Sequence, residues 1–365
     1  MKSDFSTMKR PPKISSITVS DVAREAKVSK ATAARVLGGY GRVSQTVHAA
    51  VLEAAKALGY RPNELARSMT TGRSGSIGVV VGDIENPFFS LAVRGISDVA
   101  RLSGINVILA NSGEEVEAEK SAIRVLLAKQ VDGLIVTPAQ AGDIAHLREI
   151  SCPLALLDRA LPELDVDTVT VDDRNAALRA THMLTQAGHR RIAYVTAAVL
   201  SGDFRGAASR INTSTVRERI LGFLEACREA DIENAERNIH FGSSRSERSH
   251  VLLLEMLRSA DRPTAILASD SVVALDLFKA IRECGLGIPR DISLVTFHDA
   301  DWTSVTTPPI TVIDQPVYAL GKSAAELLIR RLKGDDRPPE RIVLPTTIIE
   351  RMSVGAPLSL PHDQS

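Results

Sequence analysis

Residues 18–39 read TVSDVAREAKVSKATAARVLGG, two short helical patterns joined by the turn Lys27-Val28-Ser29. From Val19 to Ala26, the residues Val22, Ala23 and Ala26 share one helical face. Ser29 is a good N-cap for a second helix, whose Thr32, Ala33, Val36 and Leu37 form a short buried stripe. Two helices this short cannot bury enough surface alone. A third pattern, SQTVHAAVLEAAKALGY from Ser44 to Tyr60, places Val47, Val51, Ala54, Ala55 and Leu58 at helical spacing and completes a miniature core. The outward face of the second helix then carries Lys30, Ala31 and Arg35, as a recognition helix presents itself to a major groove. A plain three-helix bundle would show the same periodicity.

Charge adds to that reading. The 365 residues hold 44 Lys and Arg against 44 Asp and Glu, a balance that hides an asymmetry. Through residue 75 there are 13 basic and 5 acidic residues, a net +8 that leaves −8 for the remainder. A basic arm on an acidic body suits a head that binds a polyanion, although charge runs are also ordinary solvated faces. No apolar run approaches the roughly 20 residues of a membrane span. The leader MKSDFSTMKRPPKISS lacks the apolar region of a secretory signal, which points to the cytoplasm. Cys152, Cys227 and Cys284 are odd in number, far apart and set among apolar residues, as reduced core thiols are. The eight histidines show no close metal spacing, and no Gly-rich phosphate loop occurs. The pair Asp172-Asp173 reads more simply as a helix start than as paired catalytic carboxylates. No catalytic residue, cofactor or metal is therefore expected.

Behind the head, YRPNELARSMTTGRSGS (residues 60–76) offers a proline start, an Asn63 cap, about two helical turns and a Thr/Gly/Ser linker. So short a helix is marginal in water and should form only against a partner, DNA or a second copy. Together, TVSDVAREAKVSKATAARVL, the following RVS, ALGYRPNELARSM and SIGVVVGDIENPFFS resemble the lactose-repressor (LacI) family of bacterial regulators, from about Thr18 to about Met352. The resemblance implies that Lys30 and Ala31 select operator bases. It implies that Arg35 matches the family arginine further along, whose fork can donate two bonds to guanine. Ser29, Thr32 and Ser44 match phosphate-contacting positions. Asn63, Ala66 and Arg67 fall in the DNA-facing hinge. Met69 stands where the family usually has a leucine that wedges into the minor groove; the alternative is a small hydrophobic contact. Three positions depart from the pattern. Lys27 replaces a usual Gly or Asn, where a left-handed backbone costs a residue with a Cβ on the order of 1 kcal/mol. Ala34 replaces a common serine and His48 a common arginine, which trims backbone contacts.

After residue 75 the pattern changes. SIGVVV, NVILAN, GLIVTP, LALLDR, RIAYVT, TAILAS and SLVTF are short β-rich runs separated by helical patterns, the mark of doubly wound α/β layers. The expected organisation is an all-α helix-turn-helix headpiece over 1–62, a hinge and linker over 63–75, a core over 76–356 and a tail over 357–365. The core should form two lobes, one of about 76–176 plus 312–334 and one of about 177–311 plus 335–356. The resemblance implies that three crossovers join them, as in periplasmic sugar-binding proteins.

In open parallel sheets ligands sit beyond the strand carboxyl ends. That rule picks Asp83, Asn86 to Phe89, Asn111, Thr137, Pro138, Asp158, Arg159, Ser269, Asp270, His298 and Asp299, with Phe88, Phe89 and Trp302 for stacking. The resemblance favours Asn86, Phe88, Phe89, Arg159, Asp270 and Arg219. Asp158 can equally be a turn residue and Phe89 a core residue. His298 stands where the family usually has aspartate. With Arg159 and Arg219 retained, the cleft should be positive and favour a sugar acid or other anion over a neutral hexose. The long link 196–219 would form a lid or an effector-facing loop.

The expected function is a DNA-binding transcriptional regulator, a repressor, that acts as a homodimer on a palindromic operator and is switched by a small polar effector, a sugar or sugar acid. A solute-binding protein would need an export signal and no basic head. A helix-turn-helix-fused sugar enzyme would need an ATP phosphate motif. If Met69 is a wedge, Met69→Gly should weaken binding to operator far more than to random duplex in a gel-shift assay; equal loss on both would argue against it.

Overall fold

Helix formation starts at Thr18, whose hydroxyl accepts from the Asp21 N–H while Asp21 Oδ2 accepts from the Thr18 N–H at 2.9 Å. This reciprocal capping launches α1 (Val19–Glu25). The computed structural model describes residues 17–38, 41–60, 72–198, 211, 213–242 and 247–358, and the chain divides into two units, Met1–Ser74 and Gly75–Ser365. In the first unit α1 is followed by α2 (Lys30–Gly38) and α3 (Gln45–Ala57). Val22, Ala23, Ala33, Val36, Val51, Ala54 and Ala55 form its core, with Ala26, Leu37, Val47 and Leu58 packed at the edge. Lys27 does adopt a left-handed backbone, φ 53°, so the turn carries the strain its sequence implies.

The second unit holds two six-stranded sheets. Sheet 1 contains β1 (Ser76–Val81), β2 (Asn106–Asn111), β3 (Gly133–Val136), β4 (Leu154–Leu157), β5 (Asp167–Val171) and β11 (Arg341–Leu344), in the order β11-β5-β4-β3-β1-β2. Sheet 2 contains β6 (Ile192–Val195), β7 (Ile239–His240), β8 (Ala265–Ala268), β9 (Ser293–Phe297), β10 (Thr311–Asp314) and β12 (Thr347–Ile349), in the order β12-β10-β9-β8-β6-β7. All pairings are parallel except β10 with β12. Strand residues alternate between two apolar layers: Ile77, Val79 and Val81 enter one cluster and Val80 the other. In sheet 2, Ile192 and Tyr194 face one layer, Ala193 and Val195 the opposite one.

Sheet 1 is flanked by α4 (Pro87–Leu102), α5 (Val116–Ala128), the short α6 (Ala145–Arg148) and α12 (Val317–Leu332). Sheet 2 is flanked by α7 (Asp173–Gln186), α8 (Ser214–Glu229), α9 (Glu247–Arg258), α10 (Ser271–Glu283) and the short α11 (Asp301–Val305). Crossovers therefore fall near residues 172, 315 and 345. This moves the lobe limits expected from sequence. β10 (311–314) pairs with β9 and belongs to the second sheet, and β11 (341–344) pairs with β5 and belongs to the first. The hinge residues Asn63, Ala66, Arg67 and Met69, and most of the 196–219 link, lie outside the described residues.

α4 and α12 approach until their backbones touch, because Gly95 faces the Tyr318 carbonyl and Gly321 faces the Ala92 carbonyl. A Cβ at Gly321 would overlap backbone, which cannot rotate away. Gly321→Ala should therefore destabilise the core by about 1–3 kcal/mol in urea unfolding; an unchanged midpoint would contradict this packing.

Candidate functional site

Two surfaces gather the residues singled out by sequence. On the headpiece, the Ser29 hydroxyl accepts from the Thr32 N–H at 3.1 Å and lies 2.8 Å from the Thr32 hydroxyl, fixing the start of α2. The first turn thus exposes Lys30 and Ala31, with Arg35 one turn on. Thr32 is half-buried. Gly41, at φ 79°, lets the chain pass close to the Arg35 stem: a Cβ there would lie 3.4 Å from Arg35 Cδ. Ser44 caps α3 through the Val47 N–H at 3.4 Å and stays exposed. An ordered helix start with hydroxyls and cations around it can grip phosphate oxygens and base edges.

The second surface lies at the strand carboxyl ends. Contacts there join the two lobes: Phe88 meets His298 edge-on at 6.0 Å between ring centres, and the Ala160 N–H donates to Ser214 Oγ at 3.1 Å. Asn86 caps α4 by accepting from the Phe88 N–H at 3.1 Å, which aims Phe88 at the second lobe. Asp83 accepts from the Glu85 N–H at 2.9 Å and stays half-buried. Asp270 caps α10 through the Val272 and Val273 N–H groups, both at 2.9 Å, and accepts from Ser269 Oγ at 2.7 Å. Asp158 and His298 end corresponding strands, β4 and β9, in the same left-handed conformation, φ 67° and 71°. Burial holds the His298 imidazole below its ordinary pKa, so the ring is neutral at neutral pH.

Both arginines arrive with partners that the sequence did not announce. Arg159 donates to both Glu114 oxygens, at 2.5 and 2.8 Å, and to the Pro138 carbonyl at 2.8 Å. Arg219 donates to Asp173 Oδ1 at 2.7 Å and to the Ser269 carbonyl at 2.5 Å, and its guanidinium lies 4.0 Å over the Phe297 ring. Among the described residues the expected positive cleft is not what forms. Each guanidinium is already neutralised by a carboxylate; Asp158 Oδ2 lies a further 3.7 Å from Arg159 Nε, and Asp270 stands beside them as a helix cap. Asp172 fills the capping role at the start of α7, accepting from the Asn175 N–H at 3.3 Å, which leaves Asp173 free to hold Arg219.

Trp302 stands apart from this group. It packs against Phe278, 6.0 Å between rings, in the layer formed with α9 and α10. Phe89 joins the first-lobe core, edge-on to Phe88 at 5.2 Å.

Among the described residues, seven buried polar atoms at this edge have no hydrogen-bond partner: Thr137 Oγ1, Asp158 Oδ1, Arg159 Nε, the Tyr194 hydroxyl, Ser271 Oγ, His298 Nδ1 and Gln315 Nε2. Burying such a group without a partner costs on the order of 1–3 kcal/mol, and native folds leave few of them. These seven cluster at or near the ends of strands from both sheets, β3, β4, β6, β8, β9 and β10, an arrangement that a polyfunctional polar ligand can complete. Tyr194, Ser271 and Gln315 went unnoticed in the sequence, because a tyrosine inside an apolar strand and a serine after a cap look structural.

Glu114, Asp158 and Asp173 lie around two buried guanidiniums, those of Arg159 and Arg219, which can balance two negative charges but not three. Burial pushes the Asp158 and Asp173 carboxyls up, Asp173 from 3.8 to about 7, against the opposing pull of Arg159 and Arg219 on Asp158 and of Arg219 on Asp173. Between those limits the folded chain holds a proton that the unfolded chain has released, so stability falls as pH rises from about 4 to 7. Asp158→Asn removes one carboxylate at a backbone conformation that Asn tolerates. Denaturant unfolding at about pH 5 and about pH 8 should show this fall reduced by roughly 1–2 kcal/mol in the variant; an unchanged difference would contradict the shared-charge arrangement.

Comparison with known proteins adds to this geometry. Residues 18–63 match the family described as bacterial regulatory proteins, lacI family, and residues 181–354 match the periplasmic binding protein-like domain. The ribose operon repressor of Halalkalibacterium halodurans is 33% identical over 334 residues, 92% of this chain and 96% of that protein. A lac repressor dimer solved with operator and the anti-inducer ONPF is similar at TM-score 0.77 and 26% identity, covering 93% of this chain and 100% of that one. A complex of the regulator CelR with cellobiose is similar at TM-score 0.65 and 28% identity, covering 92% and 99%.

Proposed function

The chain belongs to the LacI family of bacterial regulatory proteins and is a DNA-binding transcriptional regulator; from that premise we propose that it is a cytoplasmic homodimeric repressor released from its operator by a small neutral sugar. The two headpieces read the two halves of a palindromic site, with Lys30, Ala31 and Arg35 at base edges and Ser29, Thr32 and Ser44 at phosphates. Asn63, Ala66, Arg67 and Met69 complete the contact from the hinge. The observation that carries the effector reading is the set of seven unpartnered polar atoms where strands of both lobes end. They include donors (Arg159 Nε, Gln315 Nε2), an acceptor (Asp158 Oδ1) and three hydroxyls able to do either, as a polyhydroxyl ligand requires. Asp83, Asn86, Phe88, Thr137, Arg159, Arg219, Asp270 and His298 belong to the same wall, with Phe88 as its apolar face.

Ligand charge follows from the pairing of the arginines. With Arg159 held by Glu114 and Arg219 by Asp173, the described residues of the cleft offer an incoming anion no unmatched guanidinium, and a neutral sugar suits it better than a sugar acid. Two similar proteins bear the same class in their names, ribose in one operon repressor and cellobiose in the CelR complex. Among the described residues no helix is long and apolar enough to cross a membrane.

Two measurements test this. In fluorescence anisotropy, Arg35→Ala should cost about 1–3 kcal/mol on the cognate upstream duplex and much less on random DNA; equal losses would remove Arg35 from base reading. In calorimetry with neutral pentoses, hexoses and disaccharides, one sugar should bind at one site per chain. Thr137→Val should weaken that binding by about 1 kcal/mol without lowering the melting temperature, because its hydroxyl has no partner to lose. If no neutral sugar binds, or the variant leaves affinity unchanged, the cleft reading fails.

A further inference from the structure

We propose that Glu114 is a built-in carboxylate that occupies the guanidinium of Arg159 and so shuts anionic effectors out of the cleft, making Glu114 and Gly82 the determinants of effector charge. This rests on the reading of the strand-end cleft as the effector site. Four successive strand ends of the first lobe build the device. Gly82 follows β1, Glu114 lies three residues beyond β2, Pro138 follows β3 and Arg159 follows β4.

Arg159 is a natural anion receptor. Its side chain is 10% exposed, and its fork can bind two oxygens of a carboxylate or phosphate at once. Here both terminal nitrogens are engaged by Glu114, and one also by the Pro138 carbonyl. Glu114 is 40% exposed, so burial alone does not drive it to that place. Its backbone does: Glu114 sits at φ 65° and donates its N–H to the Gly82 carbonyl at 3.1 Å, which turns the side chain inward. A residue with a Cβ enters that conformation at a cost, which the paired guanidinium offsets.

Gly82 supplies the seat. A Cβ at this position would overlap the Glu114 carboxylate and would stand 3.2 Å from Phe89 Cζ. Any residue other than glycine would push the carboxylate away from Arg159. A free anion must compete with this tethered one, whose effective concentration is at least in the millimolar range. Among the described residues the other cleft arginine, Arg219, gives no alternative, since it is held by Asp173.

Two full-length variants unmask Arg159 by different routes. Glu114→Gln removes the charge and keeps the side-chain size; Gly82→Ala keeps the charge and denies it its seat. Inorganic phosphate and D-gluconate are titrated by calorimetry at constant ionic strength, with operator binding as the check of fold. Wild type should show no saturable uptake of either anion up to about 10 mM, whereas both variants should gain one site per chain at least about tenfold tighter. Adding Arg159→Gln to Glu114→Gln should abolish the gain. If the anions bind wild type as tightly as the variants, or if folded variants gain nothing, the role of Glu114 is overturned. A neutral-sugar titration of wild type runs beside these. Its failure would count against the cleft as a sugar site, while loss of the anion gain with sugar binding intact would count against Glu114 alone.

Discussion

The chain passes between its two sheets three times, and this constraint decides what the rest of the core can do. Parallel strands deliver their carboxyl ends to one edge of each sheet, and the crossovers near 172, 315 and 345 bring the two edges together. Phe88 against His298, and Ala160 against Ser214, are the contacts that result. Loops at such an edge carry polar side chains into a low-dielectric space, where each unpaired group is expensive and each ion pair is strong. The molecule answers in two ways. Charges are matched locally, Arg159 with Glu114 and Arg219 with Asp173, and a set of further donors and acceptors is left open.

Close backbone packing keeps that edge in register. Gly95 and Gly321 seat α12 on α4 in the first lobe, and Gly222 seats α8 against the Arg174 carbonyl of α7 in the second. α4 begins at Asn86 and α7 at Asp172, so both tightly packed helix pairs start at the cleft. A ligand that draws the lobes together therefore acts on helices that move as units. Interdigitated cores of this kind shift between discrete arrangements rather than deform continuously.

Much of the fold was legible because its signals are local. Seven β-rich runs correspond to β1, β2, β3, β4, β6, β8 and β9, and Ser29 caps α2 where expected. The strands not singled out, β5, β7, β10, β11 and β12, are two to five residues long and at or near sheet margins, so their identity comes from pairing rather than pattern. The lobe limits moved for that reason. At the candidate site, Arg159 and Arg219 were visible, but their carboxylates lie 45 and 46 residues away, a separation that leaves no periodic trace. Glu114 could have been found by extending the strand-end rule three residues past β2. The expected sign of the cleft differs from that of its described residues because unpaired cations were counted before their partners were known. Trp302 was placed by its position after a strand, yet its ring is claimed by Phe278.

The central claim is a coupling between a sugar in the cleft and the grip of the headpieces on operator. Such coupling is a single free energy shared by both ligands, so it must work in both directions. The most direct measurement titrates the bound sugar calorimetrically into the free protein and into the protein saturated with its operator duplex. The account predicts weaker sugar binding on the operator, by about 5-fold to 150-fold, and by the same factor with which sugar lowers operator affinity. Identical sugar affinities in the two titrations would show that cleft and headpieces act independently, and would contradict it.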